Sequence, residues 1–170
     1  DALTFWAKAS KSATIDKIGF GNALGQEKYQ VFIESLPINT NWQKYYIPIP
    51  DASKLVEEKG MLFYSEAPEE GKGYTFWLDQ VQFEKVGRIA HPKPGILNGQ
   101  DQVITTETGA DLSVGGLFST FNLPTGIDQR VEVAPAYFIF SSSNESVATV
   151  SETGEISVID AGTTIITAKI

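Results

Sequence analysis

Hydrophobic and polar positions alternate in short runs along almost the whole chain, the two-residue period of strands that bury one face. Runs rich in β-branched or aromatic residues fall at 3–9, 17–20, 29–34, 44–49, 61–65 and 75–84. Turn formers close them: Gly21-Asn22, Leu36-Pro37, Pro50-Asp51 and Glu69-Glu-Gly-Lys-Gly73. Only 51–59 reads as helical, a short piece capped by Asp51, carrying Leu55 and Val56 and ended by Gly60. Alternation in 3–9 sets Leu3, Phe5 and Ala7 on a core face and Thr4, Trp6 and Lys8 on the other. In 29–34 it sets Tyr29, Val31 and Ile33 against Gln30, Phe32 and Glu34. In 75–84 a regular strand puts Trp77, Asp79, Val81 and Phe83 together, with Trp77 in the core. Asp79 among three apolar side chains then needs a hydrogen-bonding or cationic partner.

The tract Val86-Gly-Arg-Ile-Ala-His-Pro-Lys-Pro-Gly95 breaks this pattern. Two prolines and two glycines in ten residues exclude a helix or a central strand, so the tract reads as a junction. Its His91 reads as a surface residue. A second β-rich block follows, richer in Ser, Thr, Val, Gly and Ala, with strands expected at 102–106, 112–114, 117–122, 130–133, 137–140, 147–150, 155–159 and 163–169. Gly154 marks a hairpin over 148–158. The chain is therefore expected to be all-β, as two consecutive β-sandwiches over 1–86 and 96–170 joined by 87–95.

Charge and composition then remove function classes. Thirteen basic against 21 acidic residues leave a net charge of −8, which argues against nucleic acid and anionic membrane surfaces as partners. No run of about 18 apolar residues is present, so no membrane insertion is expected. The absence of cysteine excludes disulfides, thiolate catalysis and thiolate zinc sites. With one histidine and no Gly-x-Ser-x-Gly elbow, nucleophilic catalysis has no support, and no enzyme is expected. The run Gly19-Phe-Gly-Asn-Ala-Leu-Gly25 precedes a polar loop and a strand, not a helix N-terminus, so it is no phosphate loop. A two-carboxylate glycosidase site would need two of Glu27, Glu34, Glu57, Glu66, Asp79 and Glu84 to face each other across a cleft.

Sugar binding matches the residues better, because a carbohydrate offers apolar C–H faces and many hydroxyls to flat aromatic rings and planar polar side chains. Trp6 is the candidate platform, with Gln30, Phe32, Glu34 and Tyr64 as candidates to line a groove beside it. Each has a structural counterpart: Trp6 covered by a neighbouring element, Tyr64 in the core, and Trp42 and Tyr45 packed at a sheet edge marked by Pro48 and Pro50.

Two resemblances sharpen these expectations. The phrases Leu3-Thr-Phe-Trp-Ala-Lys8, Asn41-Trp-Gln-Lys-Tyr-Tyr-Ile-Pro-Ile-Pro-Asp51 and Tyr74-Thr-Phe-Trp-Leu-Asp-Gln-Val-Gln-Phe-Glu84 resemble the later strands of a jelly-roll carbohydrate-binding module of the galactose-binding-like superfamily. A complete jelly roll has about eight strands, and about six precede the junction, so the earlier strands are expected to be missing. This resemblance implies polysaccharide or oligosaccharide as ligand and a structural calcium ion at Asp79, the alternative being a carboxylate held by backbone N–H groups. The run Ser141-Ser-Ser-Asn-Glu-Ser-Val-Ala-Thr-Val150, then Gly154-Glu-Ile-Ser-Val158 and Ala161-Gly-Thr-Thr-Ile-Ile-Thr-Ala168, resembles the C-terminal half of a bacterial immunoglobulin-like domain, group 2. Together they imply an extracellular or cell-surface bacterial protein with further domains as neighbours. Its expected function is non-catalytic polysaccharide binding within a glycan-degrading or glycan-binding protein. The alternative is a structural spacer or adhesion scaffold with no sugar site.

Overall fold

The computed structural model describes residues 1–23, 27–57, 59–87 and 89–170, and all their side chains except those of Ala90 and His91. The sequence readings of Gly25 and of the His91 side chain lie outside these described residues. The fold is all-β, built from antiparallel sheets. The first strands are β1 (Ala2–Ala9), β2 (Ala13–Phe20), β3 (Val31–Ile38), β4 (Gln43–Pro48), β5 (Phe63–Ser65) and β6 (Phe76–Glu84). They are followed by β7 (Ala90–Gly95), β8 (Asp111–Ser113), β9 (Phe118–Asn122), β10 (Asp128–Val133), β11 (Ile139–Ser142), β12 (Ala148–Val150), β13 (Glu155–Val158) and β14 (Ile166–Lys169). The expected helical piece shrinks to one 3-10 turn, Ala52–Lys54. Its cap is Asp51, whose carboxylate accepts the Ser53 N–H at 3.0 Å.

Two sheets face each other across the main core. One has the order β4-β1-β6 and the other β5-β2-β3-β10-β9-β7. Leu3, Phe5 and Ala7 point inward from β1, as alternation requires, and meet Ile15, Ile18 and Phe20 of β2 and Val31 and Ile33 of β3. Phe20 meets Phe83 of β6 edge to face at 5.5 Å, which ties the two sheets together. A two-stranded sheet β11-β14 and a three-stranded sheet β12-β13-β8 complete the C-terminal part. The expected hairpin is present between β12 and β13, with Gly154 at φ +79°.

Hydrogen bonding crosses the 87–95 tract. β3 before it and β10 after it are neighbours in the same six-stranded sheet. The Tyr137 hydroxyl donates to the Tyr29 carbonyl at 3.1 Å, and the Lys54 ammonium donates to the Ala136 carbonyl. Buried residues of both parts, Val31 and Val131 among them, belong to one cluster. The tract itself does not act as a linker: it adds β7 at the edge of the sheet, the place where Pro92 and Pro94 cost no ladder hydrogen bond. The strand expected at 102–106 does not form. With β7 already occupying the open edge of β9, Val103 stands 99% exposed.

β6 departs from regular alternation. Trp6 pairs with Asp79 but Thr4 pairs with Gln82, so two residues of β6 oppose Phe5. Gln80, at φ 50°, forms this bulge. Ahead of it Phe76 and Leu78 face inward and Trp77 and Asp79 outward; after it Phe83 turns inward. The expectation of Trp77 in the core with Val81 and Phe83 is therefore corrected, because the extra residue reverses the pleat midway.

Gly19 gives a direct test of the β2–β3 packing. A Cβ there would lie 2.1 Å from the Val31 carbonyl oxygen, while the rings of Phe32 and Phe63 meet at 6.4 Å over this position. Gly19→Ala is expected to lower stability by about 1 to 3 kcal/mol, as for other overpacked sites. Urea melts checking it should show the loss as a shift in midpoint with little change in slope.

Candidate functional site: the outer face of the three-stranded sheet

The outward side of β1 carries Thr4, Trp6 and Lys8, as the sequence predicts. β4 places Tyr46 beside Thr4 and Lys44 beside Trp6, while β6 places Asp79 beside Trp6 and Trp77 beside Lys8. Trp42, one residue ahead of β4, joins them. All three tryptophans of the chain thus gather on one sheet face. Trp6 is partly buried, and Trp42 and Trp77 are 43% and 44% exposed.

Two lysines organise this face. The Lys8 ammonium lies 5.0 Å from the Trp42 ring centre and 5.2 Å from that of Trp77, so one cation bridges the two indoles. The Lys44 ammonium lies 5.5 Å from the Tyr46 ring centre and forms an ion pair with Glu84. Hydrogen bonding to Lys44 is the chief reason the Glu84 carboxyl titrates below the usual glutamate range. Gln82 donates to the other Glu84 oxygen at 2.9 Å.

The sequence-predicted site residues do not form a single groove. Phe32 and Glu34 lie on the outward side of the other sheet, where Phe32 packs on Phe63 and under the Lys17 ammonium at 4.0 Å. Gln30 is buried ahead of β3, and its carbonyl accepts the Ala134 N–H at 2.9 Å. Tyr64 pairs with Ile18 on the edge strand β5 and so shares the inward side. It is 55% exposed and meets Phe76 edge to face at 5.3 Å. Trp6 is thus separated from Phe32 by the thickness of the sandwich. Asp79 is exposed, and its carboxylate accepts the N–H of Gln80 at 2.8 Å. It is not enclosed by apolar side chains, because the bulge turns Phe83 away. Among the described residues no group of three or more acidic, His or Cys side chains converges as a metal site, and Asp79 contributes a lone carboxylate.

Sequence reasoning missed Trp42, Lys44, Tyr46 and Trp77 as companions of Trp6. Even spacing places Trp42, Lys44 and Tyr46 on one side of β4, so these were legible in principle. Trp77 was hidden by the bulge. A cleft of about 750 Å³ opens beyond β4, lined by Glu34, Gln43, Tyr45, Tyr46, Gln129 and Glu132 among others. The Tyr45 ring stacks on Phe5 at 5.6 Å, its hydroxyl reaches the Pro37 carbonyl at 3.1 Å, and burial raises its pKa above the usual phenol value.

Trp77→Ala is expected to cost less than about 1 kcal/mol, as for a surface site, whereas Phe5→Ala should cost about 3 to 5 kcal/mol. Paired denaturant melts decide between these values. For Glu84, carboxyl NMR should show a midpoint below that of a free glutamate. A carboxylate with a lowered folded pKa contributes stability above its unfolded pKa and loses it as pH falls through the folded midpoint. Lys44→Gln should move that midpoint back upward.

Comparison of the chain with protein-family models, curated proteins and solved structures finds no match.

Proposed function

We propose that this chain is a non-catalytic polysaccharide-binding unit of an extracellular bacterial protein, with the outer face of β4-β1-β6 as the sugar platform. The observation that carries this reading is the gathering of Trp6, Trp42 and Trp77 on the side of the sheet turned away from the core. Two of these indoles are almost half open to water, whereas the core rings Phe5 and Phe20 are buried completely. Leaving such surface exposed gains the fold little, and exposed apolar patches with polar rims mark binding faces.

Sugar is the ligand class that fits. Indole faces match the C–H face of a pyranose, and Lys44, Gln82, Glu84 and Asp79 at the margins supply donors and acceptors for hydroxyls. The cation shared by Trp42 and Trp77 restrains both rings, so less side-chain entropy is lost on binding. The net charge of −8 favours a neutral glycan over a polyanionic one. The sequence resemblance to carbohydrate-binding jelly rolls supports the same reading. It also supports an extracellular or cell-surface location beside other domains. The spacer alternative leaves the tryptophan face without a role.

Affinity electrophoresis in gels containing neutral plant polysaccharides, together with a glycan array, tests the proposal. Retention by at least one polysaccharide is expected. Trp6→Ala, Trp42→Ala and Trp77→Ala should each weaken it by about 1 to 3 kcal/mol, by analogy with the range for a nucleic-acid base stacked on an aromatic side chain. Native migration with every polysaccharide would favour the spacer. Release of reducing ends on prolonged incubation would overturn the non-catalytic assignment.

A further inference from the structure

We infer that the cleft between β3, β4 and β10 is a second part of the ligand site, taking a glycan chain onward from the tryptophan face; this rests on the glycan reading above. The cleft follows from how the strands pair. β3 and β10 are joined at Val31–Val133 and Phe32–Glu132, and the Ala134 N–H to Gln30 carbonyl bond continues that ladder at one end. No further β3–β10 pair follows at the other end, so from Glu34 and Arg130 onward the two strands present open edges to each other. β4 is the terminal strand of its own sheet, and its free edge faces the same space.

The lining suits a hydroxyl-rich ligand. Strand edges offer backbone N–H and C=O groups, of which the Arg130 carbonyl accepts the Gln129 side-chain amide at 2.8 Å, and Glu34, Gln43 and the Gln129 amide oxygen add planar polar groups. Arg130 is held in place from three sides: its Nε donates to Glu132 at 2.8 Å, its Nη2 donates to Asn98 Oδ1 at 2.9 Å, and its guanidinium lies 3.8 Å over the Phe118 ring. Because Arg130 and Glu132 satisfy each other, the cleft carries no strong field of one sign. Its volume of about 750 Å³ is within the roughly 300 to 1,000 Å³ of ordinary ligand sites.

Continuity with the tryptophan face comes from β4. Lys44 and Tyr46 line the cleft and also stand beside Trp6 and Thr4 on the outer face. Adjacent strands are about 4.8 Å apart, so the step from Trp6 to the cleft rim is one strand. A linear glycan crossing β1 and β4 would rest on indole and Tyr46, then enter the cleft. The complete site therefore reads chain length, favouring long oligosaccharides over short ones.

Calorimetric titration with cello-, xylo- and manno-oligosaccharides, disaccharides against hexasaccharides, tests this on the full chain. The native protein should bind a hexasaccharide more tightly than the disaccharide of the same series. The Glu34→Ala, Gln129→Ala double variant should lose about 2- to 10-fold of hexasaccharide affinity per contact removed, which abolishes most of the gain with length. Amide NMR of the native protein should show hexasaccharide-induced shifts at 34–36 and 129–131, a readout independent of how well the variant folds. Trp6→Ala, by contrast, should weaken both ligand lengths. Hexasaccharide affinity unchanged in the double variant, with those amides unmoved, overturns the cleft assignment and leaves the tryptophan face standing. Shifts there with an extended peptide but not with sugars also overturn it. Native protein that binds no sugar of any length brings down both readings.

Discussion

The register between β1 and β6 controls which side chains reach the core and which reach solvent. On the near side of Gln80, pairing of Lys8 with Trp77 and Trp6 with Asp79 holds the tryptophan outside. On the far side, pairing of Leu3 with Phe83 brings that ring inside to meet Phe20. A strand without the extra residue cannot do both, since every odd position would stay on one face. The positive φ at Gln80 is the local cost of this arrangement. Its return is a closed core under β6 together with an open aromatic surface above it.

The second organising feature is the shared sheet. β3 and β10 bring the two sequence blocks into one hydrogen-bonded layer, and buried side chains continue across it. The join is short, so the strands part beyond Phe32 and Glu132. That parting creates the cleft, and the open edge of β4 gives it a third wall. The proposed ligand path thus depends on incomplete pairing, where backbone groups remain available in place of being consumed by the ladder.

The proposed sugar face also explains the placement of charge. Lys44 is matched to Glu84, and Arg130 to Glu132, so these ion pairs hold aromatic and polar side chains in position without building a charged surface. The Arg130–Glu132 pair is exposed and contributes little to stability, while the Lys44–Glu84 pair is half-buried; their value lies in orienting Tyr46 and the rim of the cleft. Lys8 has the same effect on Trp42 and Trp77 through the ring faces.

Period-two patterning by itself determined the all-β class, the position of most strands, the inward set Leu3, Phe5 and Ala7, and the outward placement of Trp6 and Lys8. These follow from local geometry, since the pleat assigns a face to each residue of a regular strand. The hairpin at Gly154 was legible for the same reason, a backbone angle that glycine adopts without strain. Only the tertiary structure decided the rest. The bulge at Gln80 depends on pairing with β1, a strand more than seventy residues away in sequence, so nothing inside 75–84 announces it. The sheet shared by β3 and β10, the use of the proline tract as edge strand β7, and the exposure of 102–106 likewise depend on which edges meet. Trp77, Trp42 and Trp6 lie far apart in the chain, and hydrogen-bonded register between strands alone made them one surface.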